Sequence, residues 1–113
     1  MEKVNIVQVQ TTVESEELGN ALADGLLGTY LCACVKMLPG VYSTFRWEGK
    51  IEDAEEILLV VTTTKEKSAA VVEYINENHD YEIPEIIIVD IVGSSEGYNN
   101  WVMEQTHDPK EDN

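Results

Sequence analysis

The stretch that most constrains this chain runs from Leu31 to Thr64, LCACVKMLPGVYSTFRWEGKIEDAEEILLVVTTT, and reads as one long β-hairpin. Before Glu48 it is rich in Val, Tyr, Thr, Phe and Trp, and after Lys50 it passes through an acidic patch into ILLVVTTT; such residues fit a pleated, half-buried surface. The tip is Glu48-Gly49-Lys50, where Gly49 supplies the positive φ of a tight hairpin. Pro39-Gly40 interrupts the first arm as a bulge or bend, because proline cannot donate to a ladder. Both arms exceed the typical strand of about 5–6 residues. They are expected to project beyond one small sheet and to offer their ends to another copy of the chain.

Around the hairpin, Val4 to Gln10 (VNIVQVQ) is largely β-branched and predicts a central strand, after which Thr11-Thr12 turns the chain. Ser15 is a good N-cap, Glu16 and Glu17 suit the positive end of a helix dipole, and Leu18, Leu22, Gly25 and Leu26 recur at helical spacing until Gly28. Thr64 is expected to cap a second helix, KEKSAAVVEYINEN, with Ala69, Val72 and Ile75 as its apolar stripe. Pro84 opens a last strand whose run Ile86-Ile87-Ile88-Val89 predicts cover on both faces. Tyr98, Trp101 and Val102 stand at i, i+3 and i+4 on a third helix, before a polar tail, 107–113, expected to fray. The order β-α-β-β-α-β plus a C-terminal helix predicts an α+β, ferredoxin-like sandwich over residues 1–106. Two helices cover one face of its sheet. The other face is left bare and apolar, and a closed symmetric oligomer would cover it.

At 113 residues the chain forms one domain just large enough for a proper core. No apolar run approaches the roughly 20 residues that span a bilayer, so a soluble protein without a membrane partner is expected. The N-terminus, MEKVNIVQVQ, shows no signal-peptide core. Cys32 and Cys34 lie two apart on a predicted strand, about 6.5–7 Å between Cα atoms, at the edge of disulfide geometry. A reduced, cytoplasmic chain follows. Lys and Arg number 7 against 22 Asp and Glu, a net charge of −15, which leaves little to neutralise phosphates and excludes nucleic acid as a partner. The acidity serves solubility or high salt, or it attracts cations.

Several pieces together resemble the divalent-ion-tolerance (CutA) family: TT after the first strand, CACV followed by a proline, FRWEGKI at the hairpin tip, TT ahead of the second helix, HDYEIPEI before the last strand, and YNNW in the last helix. The resemblance runs from the first strand to Thr106. It implies a PII-like homotrimer of ferredoxin-like subunits linked to tolerance of copper and other divalent ions, without established catalysis. The chain departs from the family at Phe45, where a tyrosine is usual, at Lys36 for asparagine, at Thr62 for lysine and at Asp80 for proline.

Candidate chemistry falls in three places. Cys34 aligns with the family's cysteine; on one strand face with Cys32 it could hold a soft ion, or both could be small buried hydrophobes. His79, Tyr81 and Glu82 arrive together at an element boundary, where imidazole and carboxylate suit copper or zinc, unless His79 caps the second helix instead. The metal candidates are thus His79, Glu82 and Cys34, with copper or zinc as the ion. Glu52, Asp53, Glu55 and Glu56 beside the tip would attract cations weakly, since no calcium-loop pattern is present. Trp47, with Phe45, Tyr81 and Trp101, is expected at a subunit interface. His107 is expected to be exposed. None of the common nucleotide-binding, zinc-protease or serine-hydrolase motifs occurs, and an acylphosphatase would need an arginine near the first turn, whereas the single arginine is Arg46. The expectation is a non-enzymatic homotrimer associated with divalent cations; the alternatives are a PII-like small-ligand signalling trimer and a purely structural assembly module.

Overall fold

A computed structural model describes residues 4–112; the first three residues of the N-terminal stretch and the last residue of the tail lie outside the described residues. The elements are β1 (Ile6–Val13), α1 (Glu16–Gly28), β2 (Cys34–Trp47), β3 (Lys50–Thr64), α2 (Ser68–Asn78), β4 (Ile86–Asp90), α3 (Glu96–Gln105) and a 3-10 turn at Pro109–Asp112. One antiparallel sheet has the order β2-β3-β1-β4, the ferredoxin-like arrangement expected from the element order.

The long hairpin forms as its residues dictate. Trp47 pairs with Lys50, leaving Glu48 and Gly49 as a two-residue turn in which both have positive φ, 50° and 78°. A primed turn of this kind matches the twist of the two strands it joins. Leu38 pairs with Leu58 and Val41 with Glu56, so Pro39 and Gly40 together oppose Ile57 as a β-bulge, with Gly40 at φ 76°.

The core lies between the sheet and the helices. Val9 and Val61 pair across the central strands, and Leu26 of α1 and Val71 and Ile75 of α2 close over them, all fully buried. Leu22 of α1 packs with Val13 and Leu59. Ser15 caps α1 by accepting from the Leu18 amide at 3.1 Å. Gly25 permits close approach of the two helices: a Cβ there would stand 1.7 Å from the Tyr74 hydroxyl oxygen.

Several expectations need correction. β1 does not turn at Thr11-Thr12 but continues to Val13, because β3 supplies partners as far as Ile57 and threonine suits a strand. Thr64 caps a short turn, accepting from the Lys67 amide at 3.1 Å, and α2 begins only at Ser68. Its buried stripe is Val71 and Ile75, whereas Ala69 is exposed. β4 is an edge strand with neither face fully covered: Ile87 and Ile88 point to opposite faces and are 44% and 48% exposed. The described part of the tail forms a 3-10 turn with contacts of its own: His107 Nε2 lies 2.6 Å from Asp112 Oδ1, and Glu111 reaches Lys67 at 3.8 Å. Finally, α3 covers one end of the supposedly bare face, where Val102 packs with Val4 and Ile6. The rest of that face stays open around Leu38, 44% exposed, and Ile87.

Gly25→Ala is expected to destabilise the fold by about 1–3 kcal/mol, the usual cost of overpacking. Tyr74→Phe removes the nearest atom and should recover part of that loss; a urea double-mutant cycle with no coupling between the two positions would show that the contact is slack.

Candidate functional site

The bulge decides what the outer hairpin presents. Paired residues of an antiparallel ladder share a face. Beyond Val41 the pairs Ser43↔Ala54 and Phe45↔Glu52 therefore set Ser43, Phe45 and Trp47 on the same side as Glu52, Ala54 and Glu56. Against this strip lies the loop after α2. Together they enclose a cleft of about 370 Å³ lined by Phe45, Trp47, Tyr81 and Ile83 and by the carboxylates of Glu14, Glu52, Asp53, Glu56 and Glu82. Neither lysine nor arginine is among the residues that line it.

Glu56 forms the most enclosed part, with 6% of its surface exposed. Its Oε1 accepts from the Ser43 hydroxyl at 2.6 Å and its Oε2 from the Tyr81 hydroxyl at 2.7 Å. Burial alone pushes its pKa up, but hydrogen bonds from Ser43, Tyr81 and Thr12 outweigh that, and the carboxyl titrates below its ordinary value. Tyr81 responds in the opposite sense: burial and its bond to the Glu56 carboxylate raise the phenol's pKa, so it stays a donor.

His79 is the C-cap of α2, and it holds the loop in place. Its Nε2 is 2.8 Å from the Thr12 carbonyl, just beyond Thr11, the last β1 residue paired with β4. Its Nδ1 accepts from the Tyr81 amide at 3.1 Å, and the two rings lie 4.7 Å apart. An imidazole that donates from Nε2 and accepts at Nδ1 is neutral, with both nitrogens in use. A metal ion would have to displace one of these bonds.

The expected metal candidates are consequently not assembled. Glu82 lines the cleft, while His79 is turned to the backbone. Cys34 pairs with Thr62, which pairs with Gln8, four residues along β1 from Thr12; that separation is about 13 Å at strand rise. Among the described residues no three His, Cys, Asp or Glu side chains lie close enough to hold a metal ion. Cys32 sits just before β2 rather than on it and is fully buried; burial pushes its thiol up to about 12, so it is protonated at neutral pH and fills the core as a small hydrophobe. The described residues of one chain thus do not fit a closed copper or zinc site. Of the aromatic interface candidates, Phe45, Trp47 and Tyr81 meet in the cleft, and Trp101 stands apart on α3, stacked on Tyr98 at 5.8 Å.

Ser43 and Glu14 escaped the sequence reading, and Glu56 was read only as one tip acid among several. Alternation across the bulge, which joins Ser43 to Phe45 and Trp47, is the signal that would have found the first.

A family model described as CutA1 divalent ion tolerance protein matches residues 7–105. The chain is 36% identical over 100 residues to "Protein CutA, chloroplastic" of Arabidopsis thaliana, covering 88% of this chain but only 55% of that one, so it spans about half the length of this relative. It is 35% identical over 106 residues to "Divalent-cation tolerance protein CutA" of Thermus thermophilus, covering 94% of this chain and 99% of the other. The crystal structure of CutA1 from Oryza sativa superposes with a TM-score of 0.88 at 34% identity, over 93% of this chain and 96% of that one.

Two predictions follow from the Glu56 network. A carboxyl whose folded pKa lies below its ordinary value of 4.5 contributes stability that is complete above that pH and is lost as pH falls through the folded pKa. The stability difference between the wild type and Glu56→Gln should hold steady from neutrality to about 4.5 and then move in favour of Gln. A difference flat down to pH 3 would mean that the hydroxyls do not favour the charged form. His79→Ala should cost about 1–3 kcal/mol in urea melts, because it orphans the Thr12 carbonyl and the Tyr81 amide, and should do so equally with and without EDTA.

Proposed function

The chain belongs to the CutA1 divalent ion tolerance family, and from that premise we propose that it acts as a non-enzymatic homotrimer that associates with divalent cations, copper or zinc, in the cytoplasm. The observation that carries the cation association is unneutralised acidity: a net charge of −15, with one Lys–Glu ion pair among the described residues. Such a field concentrates cations without a built coordination shell. Any tight metal site therefore needs groups from more than one subunit, drawn from Glu82 and its neighbours or from Cys34.

The trimer is supported by the open sheet face. Leu38 and Ile87, with half-buried Leu58 and Val60 between them in the ladder, form an apolar patch that a second copy would cover. Phe45, Trp47 and Tyr81 at the cleft and Trp101 on α3 would line the edges of such a contact. Two free cysteines, one of them buried, suit a reducing compartment.

The cleft favours a second reading, a PII-like small-ligand trimer, because 370 Å³ is the size of a small-molecule site. Its five carboxylates would repel ATP.

Light scattering at micromolar concentration should give the mass of three 12.7 kDa chains; the mass of one would overturn the trimer. Calorimetry should show saturable heat with Cu(II) or Zn(II) and none with ATP, and millimolar divalent ions should raise the melting temperature more than NaCl of equal ionic strength. Melting that is indifferent to both salts would remove the electrostatic basis of the cation role.

A further inference from the structure

The cleft beside the hairpin tip has a chemistry that metal association does not use. Its floor is a carboxylate, Glu56, that is almost wholly buried and held ionised by the hydroxyls of Ser43, Tyr81 and Thr12, yet makes no ion pair among the described residues. A carboxylate has about four acceptor positions, and these hydroxyls leave room for a further donor. The hydrogen bonds already offset the cost of burying this charge, but no counter-charge faces it, so a cation entering the cleft meets an unneutralised carboxylate. Above the floor stand the rings of Phe45, Trp47 and Tyr81, with Ile83 beside them.

These walls choose among cations. A hard divalent ion needs several oxygens converging at about 2–2.6 Å, and no three carboxylates converge here. Rings offer no lone pairs to such an ion. They do attract an ammonium group through their negative faces, and they bury the carbons attached to it, an interaction that strengthens where water is excluded. We propose that this cleft binds an alkylammonium group, the nitrogen set against Glu56 with Glu82 or Glu14 and the carbon chain laid along Phe45, Trp47 and Ile83. This goes beyond the metal-tolerance reading and does not depend on it, since it concerns a different ligand on residues that one chain already brings together.

An alkylammonium group can arrive as a free diamine or as a lysine side chain. The test uses the full-length assembled protein carrying Trp101→Phe, in which Trp47 is the only tryptophan left to report. Cadaverine and N-acetyl-lysine methylamide are titrated separately at constant ionic strength, with MgCl2 and glutarate as controls. Saturable change in Trp47 emission is expected with cadaverine, and glutarate should do nothing. Comparable binding of the lysine amide would point to a protein side chain as a source, and binding of cadaverine alone to a free diamine. Glu56→Gln should weaken binding at least tenfold and Phe45→Leu severalfold. If Glu56→Gln fails to fold, as read by circular dichroism and light scattering, Glu82→Gln and Phe45→Leu carry the test. The proposal is overturned if MgCl2 reproduces the cadaverine response, or if the folded variants bind as the parent does. Either result would leave the trimer mass and the metal calorimetry untouched.

Discussion

Val9 and Val61, paired across the two middle strands and sealed from water, are the contact on which both layers of this molecule rest. Leu26 reaches them from one helix and Val71 and Ile75 from the other, so the first and second βα units meet at a single point. Interiors are packed to crystal-like density, and a loss there is felt by every element at once. The outer hairpin has no such support. It leaves the domain as a two-stranded ribbon, which is marginal in water by itself. What steadies it within one chain is polar: Ser43 and Tyr81 clasp Glu56, and His79 fastens the loop that carries Tyr81 to the backbone of β1. A domain held at one end by valines and at the other by hydroxyls should open first at the second end, because buried apolar contact sets the local unfolding free energy.

The charge follows the same division. A net of −15 on a chain this short is tolerated because nearly all the acids lie at the surface, where salt screens them within about 8–10 Å. Glu56 is the exception: among the described residues it alone of the acids is both buried and hydrogen-bonded by side chains from other segments.

Local signals were legible in the sequence. Gly49 marked the tip, Pro39-Gly40 the bulge and Ser15 the first cap, since each follows from backbone sterics or one short hydrogen bond. Phase and partner were not. The string SAAVVEYI offers two overlapping stripes, and only the sheet beneath decides that Val71 rather than Ala69 and Val72 is the buried one. The Ile86–Val89 run looked covered on both sides because its own residues do not say that it sits at an edge. The role of His79 depends on a carbonyl 67 residues away, which no local pattern encodes. Family resemblance reached the fold without that information; it could not say that the imidazole is occupied.

The bulge also settles a matter of parity. Continued outward without interruption, the inner ladder that pairs Leu38 with Leu58 would set Trp47 opposite Gly49, a one-residue loop that no chain can close. The extra residue at Pro39-Gly40 moves Trp47 to Lys50 and lets a two-residue turn form. The hairpin's tolerance of length change is therefore unequal along its course. Losing one residue at the bulge would straighten the arm and leave every outer pair as it is, whereas losing one at the tip would slip the register and turn Ser43, Phe45 and Trp47 away from Glu56 to the opposite face. Variation in length among homologous hairpins of this build should collect at the bend and spare the tip.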